Sequence, residues 1–408
     1  MKTQLNILSR KEINHIYGIP SLNPQQRVVY LELTLAEQEL AHKYRGSITK
    51  TYFILQLAYF KFRQQFFIFD LEQVEKDVEY VQQTYFAKQP ITKSGMISKP
   101  TRLAQRRVIL KLMGYRMADK VVRKQLFDRA RGVARLSSDP LFIFRDLINW
   151  ATQQRIVLPG YSVMQRSIIG KAITLERIRL EGLLKKHLPN TQQQQLNNLL
   201  TERVEHYYKL SWIQQEATNF NPQSIRGEIK RKKVLNSLFK TGEPLIKKLG
   251  ISNENINYYA HLANHYTVGE LRQFKGGVHY IYMLCYIQHR YRQINDVLAE
   301  AFKYYVRKYE AQARQVVQEY FYKFHLDANE QLNKIPAILE MLTGDSIADN
   351  TPFSLVRKQV LDILDREKIL LLTDFIKKNR WIRRKFGGAI MKKFKDRLVI
   401  IYAIYLPT

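Results

Sequence analysis

Residues 98–116 read SKPTRLAQRRVILKLMGYR. At 100° per residue, Arg102, Arg106, Ile109 and Met113 fall on one stripe, and Arg107 and Lys111 fall on a neighbouring face. The stripe turns from cationic to apolar along its length. Ser98 or Thr101 suits the start of a helix, Pro100 its first turn and Gly114 its end. The pattern predicts a helix docked by its C-terminal half, with its N-terminal turns projecting. A second basic helix follows after the short turn GYR, carrying Lys120, Arg123, Lys124, Arg129, Arg131 and Arg135. Helix, turn and helix together fit a helix-turn-helix-like unit. The pattern alone fits an amphipathic hairpin with solvated arginines equally well.

Elsewhere the polar and apolar positions run on with few interruptions. The stretches 190–221 and 278–335 contain almost no chain-breakers, and the second has room for one or two long helices. TQQQQLNNLL keeps a helical apolar spacing despite its polar bias. Turns are expected at LPGYS (158–162), NFNPQS (219–224) and Gly276-Gly277. Longer connections are expected at 88–100 and 342–352. The 408 residues include only 17 glycines and 12 prolines, so the expected fold is all-α, with tandem small helical domains followed by a long-helix region. The joints divide the chain into 1–92, 93–158, 159–250, 251–350 and 351–408.

Charge changes the picture more than composition does. The formal net charge is +30, from 66 Lys and Arg against 36 Asp and Glu, which favours a polyanionic partner. Residues 90–135 hold thirteen basic side chains and two acidic ones, whereas 251–350 hold ten and eleven. The first is the densest basic block. The second suits a spacer or a protein contact.

Other constellations point less sharply. Cys285 is the one cysteine, so there is no disulfide framework within the chain. It shares a helix face with His289 and lies near His279, but its aromatic surroundings read as core rather than as a zinc site. No phosphate-cradling glycine motif is present. The carboxylate pairs Asp296/Glu300 and Asp362/Asp365 read as surface, so no catalytic residue and no metal is assigned. Tyr304, Tyr305 and Tyr309 alternate with Arg307 and Lys308, which suits helix packing or stacking on unpaired bases. Lys230, Arg231, Lys232 and Lys233 form a further basic cluster, expected to bind DNA by neutralising phosphates, and another basic cluster surrounds Trp381 and Phe386. The N-terminus has no signal-peptide core, and no apolar run reaches the ~18 residues needed to span a bilayer. The expected setting is therefore cytoplasmic and nucleoid-associated, without a membrane partner.

Several stretches together resemble the N-terminal half of the Tn-three family of replicative transposases. They are LTLAEQELAHKYRGSITKTYFILQLAYFKFRQQFF (33–67), RLAQRRVILKLMGYR (102–116) and ATQQRIVLPGYSVMQRSIIGKAITLERIRL (151–180). YYAHLANHYTVGELRQF and HYIYMLCYIQHRYRQINDVLAEAF follow in the family's order. One departure is local: Gln64-Gln65-Phe66-Phe67 stands where the family carries a glycine before an Arg-Phe pair.

The resemblance implies sequence-specific binding of double-stranded DNA at the terminal inverted repeats of a transposon. It implies no catalysis here, because the family's three carboxylates and their two Mg²⁺ ions belong to a later region, and this chain reads as a truncated transposase. Arg102, Arg106, Arg107 and Lys111 are expected at base edges or phosphates, and Arg116, Lys120, Arg123 and Lys124 on the backbone. Arg45 and Lys50, then Arg166, Lys171, Arg177 and Arg179, are expected to add a second footprint. A homodimer or an intact transposase is an expected protein partner, and competition with the latter would make the chain an inhibitor. The alternative is a helical interaction protein whose basic faces hold RNA or acidic partners.

Overall fold

A computed structural model describes residues 6–86 and 97–378. The Trp381/Phe386 cluster and much of the 88–100 connection lie outside these residues. Eighteen α-helices and two small sheets form among them, so the fold is all-α. Contacts among the described residues gather into two units, one within 1–214 and 236–290 and the other within 215–235 and 291–408.

The first unit contains two successive cores. Helix α1 (Arg10–Tyr17) packs against the later one, and the earlier one is built from α2 (Pro24–Leu31), α3 (Leu35–His42), α4 (Ser47–Arg63), α5 (Glu75–Tyr85) and α6 (Lys99–Met113). The three opening helices are short, and each starts with a capping box: Ser9 with Glu12, Asn23 with Gln26 and Thr34 with Glu37. Such caps satisfy the first orphan N–H groups that a two-turn helix could not otherwise offset. Helix α4 is apolar all round and buries every residue from Thr51 to Phe60, as a central helix must. Its two buried tyrosine hydroxyls are matched. The Tyr52 hydroxyl donates to the Phe69 carbonyl at 2.7 Å, and the Tyr59 hydroxyl donates to Asp77 at 2.7 Å. Arg27 holds the other oxygen of Asp77 at 2.6 Å. Burial, then the Asp77 charge, pushes the Tyr59 phenol well above its ordinary range. Gln64 ends α4 with φ 51°, so it makes the left-handed turn for which a glycine is the usual residue.

The second core begins after a two-residue parallel clasp, β1 (Arg116–Met117) with β2 (Ile156–Val157). It packs α7 (Lys120–Leu136), α8 (Pro140–Gln153), a π-helical segment (Val163–Gly170) and α9 (Lys171–His187). Helix α7 contributes Val122, Leu126, Ala130 and Ala134, one buried residue every fourth position. Ile7 and Leu8 reach this core from the chain's start.

The remainder of the first unit starts with α10 (Asn190–Thr201). The uninterrupted helix that 190–221 allowed is broken by a hairpin, β3 (Arg203–Val204) and β4 (Tyr207–Tyr208), in which Glu205 takes φ 56°. The β-favouring Val and Tyr residues on either side of that turn account for the break. Then follow α11 (Lys209–Gln214), α12 (Pro222–Leu249), α13 (Asn253–His265), α14 (Val268–Gln273) and α15 (Val278–Leu332). Residues of α12 and α15 belong to both units. Cys285 is fully buried in α15, and burial raises its thiol pKa far above the usual value. His289 Nδ1 sits 3.1 Å from the Asn257 side-chain oxygen. No group of three metal-ligating side chains forms among the described residues.

The second unit takes the start of α12 and the later part of α15 with α16 (Ile335–Thr343), α17 (Phe353–Ile363) and α18 (Arg366–Lys378). The 278–335 stretch is thus mostly one helix, and the 342–352 connection is largely exposed. No described helix is long and apolar enough to cross a membrane.

Candidate nucleic-acid interface

Helix α6 forms as its sequence predicts. The Ser98 side chain accepts from the Thr101 N–H, and Gly114 ends the helix at φ 66°. Its orientation corrects the expectation of projecting N-terminal turns. The buried residues are Arg102, Gln105 and Ile109, and Arg106 is half-buried. The whole stripe therefore faces the first core, with its cationic end covered as well as its apolar end. The Gln105 amide nitrogen donates to the Thr49 carbonyl at 2.8 Å, and its oxygen accepts from Gln56 at 2.6 Å. Arg106 lies over the Phe66 ring at 5.1 Å and donates to the Phe67 carbonyl at 3.4 Å. Burial, then the Arg102 charge, lowers its pKa. Long aliphatic stems let arginines line apolar surface in this way. Only Arg107 and Lys111 of the four stand on the exposed face.

The helix-turn-helix expectation is corrected for the same reason. Ile109 of α6 belongs to the first core, while Val122, Leu126, Ala130 and Ala134 of α7 belong to the second. Two helices whose apolar faces enter different cores do not make one helix-turn-helix unit.

Helix α7 presents a different surface. Lys120, Lys124, Phe127, Arg131 and Arg135 recur at i, i+4, i+7, i+11 and i+15, along one edge of its buried face. The four cations are exposed, and Phe127 is half-buried among them. From the start of α9, Lys171 comes over the Phe127 ring at 5.2 Å, while Arg131 lies 6.0 Å from the same ring. Phe127 thereby draws cations from two helices into one patch. The nearest acid to Arg131 in an ion pair is Asp128, at a loose 3.9 Å. Lys120, Lys124, Arg135 and Lys171 have no ion pair among the described residues. Arg129, on the opposite side of α7, is held by both oxygens of Asp146 at 2.6 and 2.8 Å. That hydrogen bonding raises its pKa.

The patch rests on a fixed end. Asn255 of α13 donates to the carbonyls of Ala134 and Arg135, each at 3.0 Å, and accepts from the Ser138 N–H at 2.5 Å. These bonds satisfy carbonyls that the last turn of α7 leaves open. The Asp119 side chain caps the other end by accepting from the Val122 N–H at 2.8 Å.

The remaining expected residues scatter. Arg116 and Arg166 are exposed, as is Arg45, while Lys50 is partly covered. Arg123 is exposed, but its Nε donates to the Ala118 carbonyl at 2.9 Å. Arg177 is partly buried. Arg179 grips the buried Glu176 at 2.6 and 2.8 Å, which raises its pKa, so it serves the packing of α9 rather than an outer footprint. In the second unit, Arg231 pairs with the buried Glu228 at 3.2 Å and Lys232 lies over the Tyr291 ring at 5.8 Å, whereas Lys230 and Lys233 are exposed. Phe127 escaped the sequence reading, and Arg131 and Arg135 entered it only as members of a basic run. The helical spacing of three and four through Lys120, Lys124, Phe127, Arg131 and Arg135 is the signal that marks it.

A family described as "Domain of unknown function (DUF4158)" matches residues 7–170. The matched span holds all of α1 to α8 and the π-helical segment, and so both cores nearly complete. Most of the cationic patch lies inside it, with Lys171 one residue beyond. No curated protein matches the chain.

Proposed function

We propose that this chain binds double-stranded DNA through the α7–α9 patch, as the end-recognition part of a Tn-three-like transposase acting on terminal inverted repeats. The observation that carries the reading is the row Lys120, Lys124, Arg131 and Arg135 with Lys171 beside it, exposed and almost free of acid partners. Fifteen residues of helix extend about 22 Å at 1.5 Å each. That length follows roughly six phosphates of one strand at about 3.4 Å of axis apiece. Each neutralised phosphate releases counterion, so such a row yields strongly salt-dependent binding. The outward positions beside the row, Val121 and Gln125, are exposed and of types that read a thymine methyl and an adenine edge. Gly132 lies on the same outward side with open space around it. A glycine within an exposed helix costs about 1 kcal/mol against alanine, and close backbone approach to a ligand offsets that cost. The block order of the sequence resemblance supports the same reading.

The test is binding of the full chain to a duplex bearing the inverted repeat of its own element, against a scrambled duplex, over a salt series. Tighter binding to the repeat is expected, with a steep loss of affinity on adding salt. Equal affinities for both duplexes at every salt concentration exclude sequence-specific recognition.

A further inference from the structure

The tyrosine-rich run of α15 does two different jobs. Tyr305 and Tyr309 stack on each other with ring centroids 5.9 Å apart, and both are partly buried. The Tyr305 hydroxyl donates to the Phe220 carbonyl at 2.5 Å. Tyr304 instead stays 45% exposed, and its ring meets that of Phe220 at 5.6 Å. These two rings, with Glu300, Lys303, Arg307 and Lys308, line a notch of about 390 Å³. An adjoining hollow of about 470 Å³ continues over Asn219, Asn221 and Pro222.

The Phe220 loop is held in place. The Ala217 N–H donates to the buried Glu228 carboxylate at 2.9 Å, and Asn219 accepts from the Asn221 N–H at 3.1 Å and the Ser224 hydroxyl at 3.0 Å. Asn221 in turn caps the start of α12 by accepting from the Ser224 N–H at 2.7 Å. The rim is cationic. Lys308 lies 5.9 Å from the Tyr304 ring centre, and Arg307 is exposed beside it. Lys303 is paired with Glu300 at 2.8 Å, and that pairing keeps the Glu300 carboxyl below its ordinary pKa.

We infer that this notch takes an unpaired nucleotide of single-stranded DNA, its base against Tyr304 and Phe220 and its phosphate against Arg307 and Lys308. An aromatic floor accepts any base by its π-face, and flanking cations follow the backbone. The notch is open to solvent, and its volume lies near the lower end of the roughly 300–1,000 Å³ of small-molecule clefts. A duplex end offers no such base, because its bases are stacked and paired. The inference rests on the preceding one only for the choice of DNA as ligand, since the notch lies on α15 and the 219–222 loop rather than on α7.

The full 408-residue chain tests it with a single strand of about 20 nucleotides, longer than the roughly 4–16 that such grooves cover, carrying one central 2-aminopurine. The same sequence as a blunt duplex is the second probe. Binding of the single strand should change the 2-aminopurine emission through stacking. Tyr304→Ala should abolish that change and weaken single-strand binding about tenfold, the loss typical of one stacked base. Tyr304→Phe should keep both, and neither variant should alter duplex affinity or the melting temperature. Single-strand affinity and emission that are the same in Tyr304→Ala as in the unaltered chain overturn the inference. So does a Tyr304→Phe variant that falls as far as the alanine. Loss of duplex binding in α7 variants, by contrast, bears only on the duplex reading.

Discussion

Helices α6 and α7 are neighbours in sequence, and both lie within the block of thirteen basic and two acidic residues. They use their cations in opposite ways. In α6 the arginines share an angle with Ile109, so the helix turns them inward: Arg102 is buried and Arg106 stacks on Phe66. In α7 the buried row is Val122, Leu126, Ala130 and Ala134, and the cations lie beside it, where they remain in solvent. A count of basic residues cannot separate the two cases. What separates them is whether a cation lies on the apolar stripe or next to it, and whether the neighbouring element offers a ring and a carbonyl to receive a guanidinium.

The largest test of this contrast is Ile109→Ala in α6. It removes a fully buried side chain and should cost about 2–5 kcal/mol of unfolding free energy in a denaturant titration. A loss under about 1 kcal/mol would mean that α6 is not part of the first core. Next comes Lys124→Ala with Arg131→Ala in α7. Stability should change by less than about 1 kcal/mol, while the slope of log affinity against log salt should fall by about 2, one unit for each lost phosphate contact. Full retention of the slope would place the DNA surface elsewhere. Arg106→Ala should reverse that pattern, with about 1 kcal/mol lost in stability and the salt slope unchanged. Gly132→Ala is smaller and sharper. Helix propensity should stabilise the fold by about 0.5–1 kcal/mol, while the added methyl weakens duplex binding. A stabilised variant with unaltered affinity would show that no ligand backbone approaches there. The smallest effect belongs to Gln64→Gly, which should raise stability by up to about 1 kcal/mol by relieving the left-handed turn.

Much of the helical framework could be read from the chain. The cap at Ser98, the stop at Gly114, the turn at 219–224 and the exposed 342–352 connection follow from local chemistry, and local chemistry is what a sequence displays directly. Two features depend on distant partners and were not readable. The inward turn of Arg102 and Arg106 depends on Phe66, Phe67 and Gln56, which come from α4 and the loop after it. The cationic patch depends on Lys171 meeting Phe127 across 44 positions of chain. Arg179 and Arg231 likewise looked available until their acids, Glu176 and Glu228, proved to be buried three positions away on the same helix. The 203–208 hairpin was missed because its turn residue, Glu205, is not one that marks turns.

The most direct measurement compares the salt dependence of duplex binding in two variants of the full chain. One carries Lys120→Ala and Lys124→Ala in α7, and the other carries Arg107→Ala and Lys111→Ala, the exposed pair of α6. Both remove two solvent-exposed cations, so overall charge and folding are matched. The account predicts a slope lowered by about 2 and a clear loss of affinity for the α7 variant, with a much smaller change for the α6 variant. Equal losses in the two would contradict it, because binding would then follow total charge rather than the row on α7.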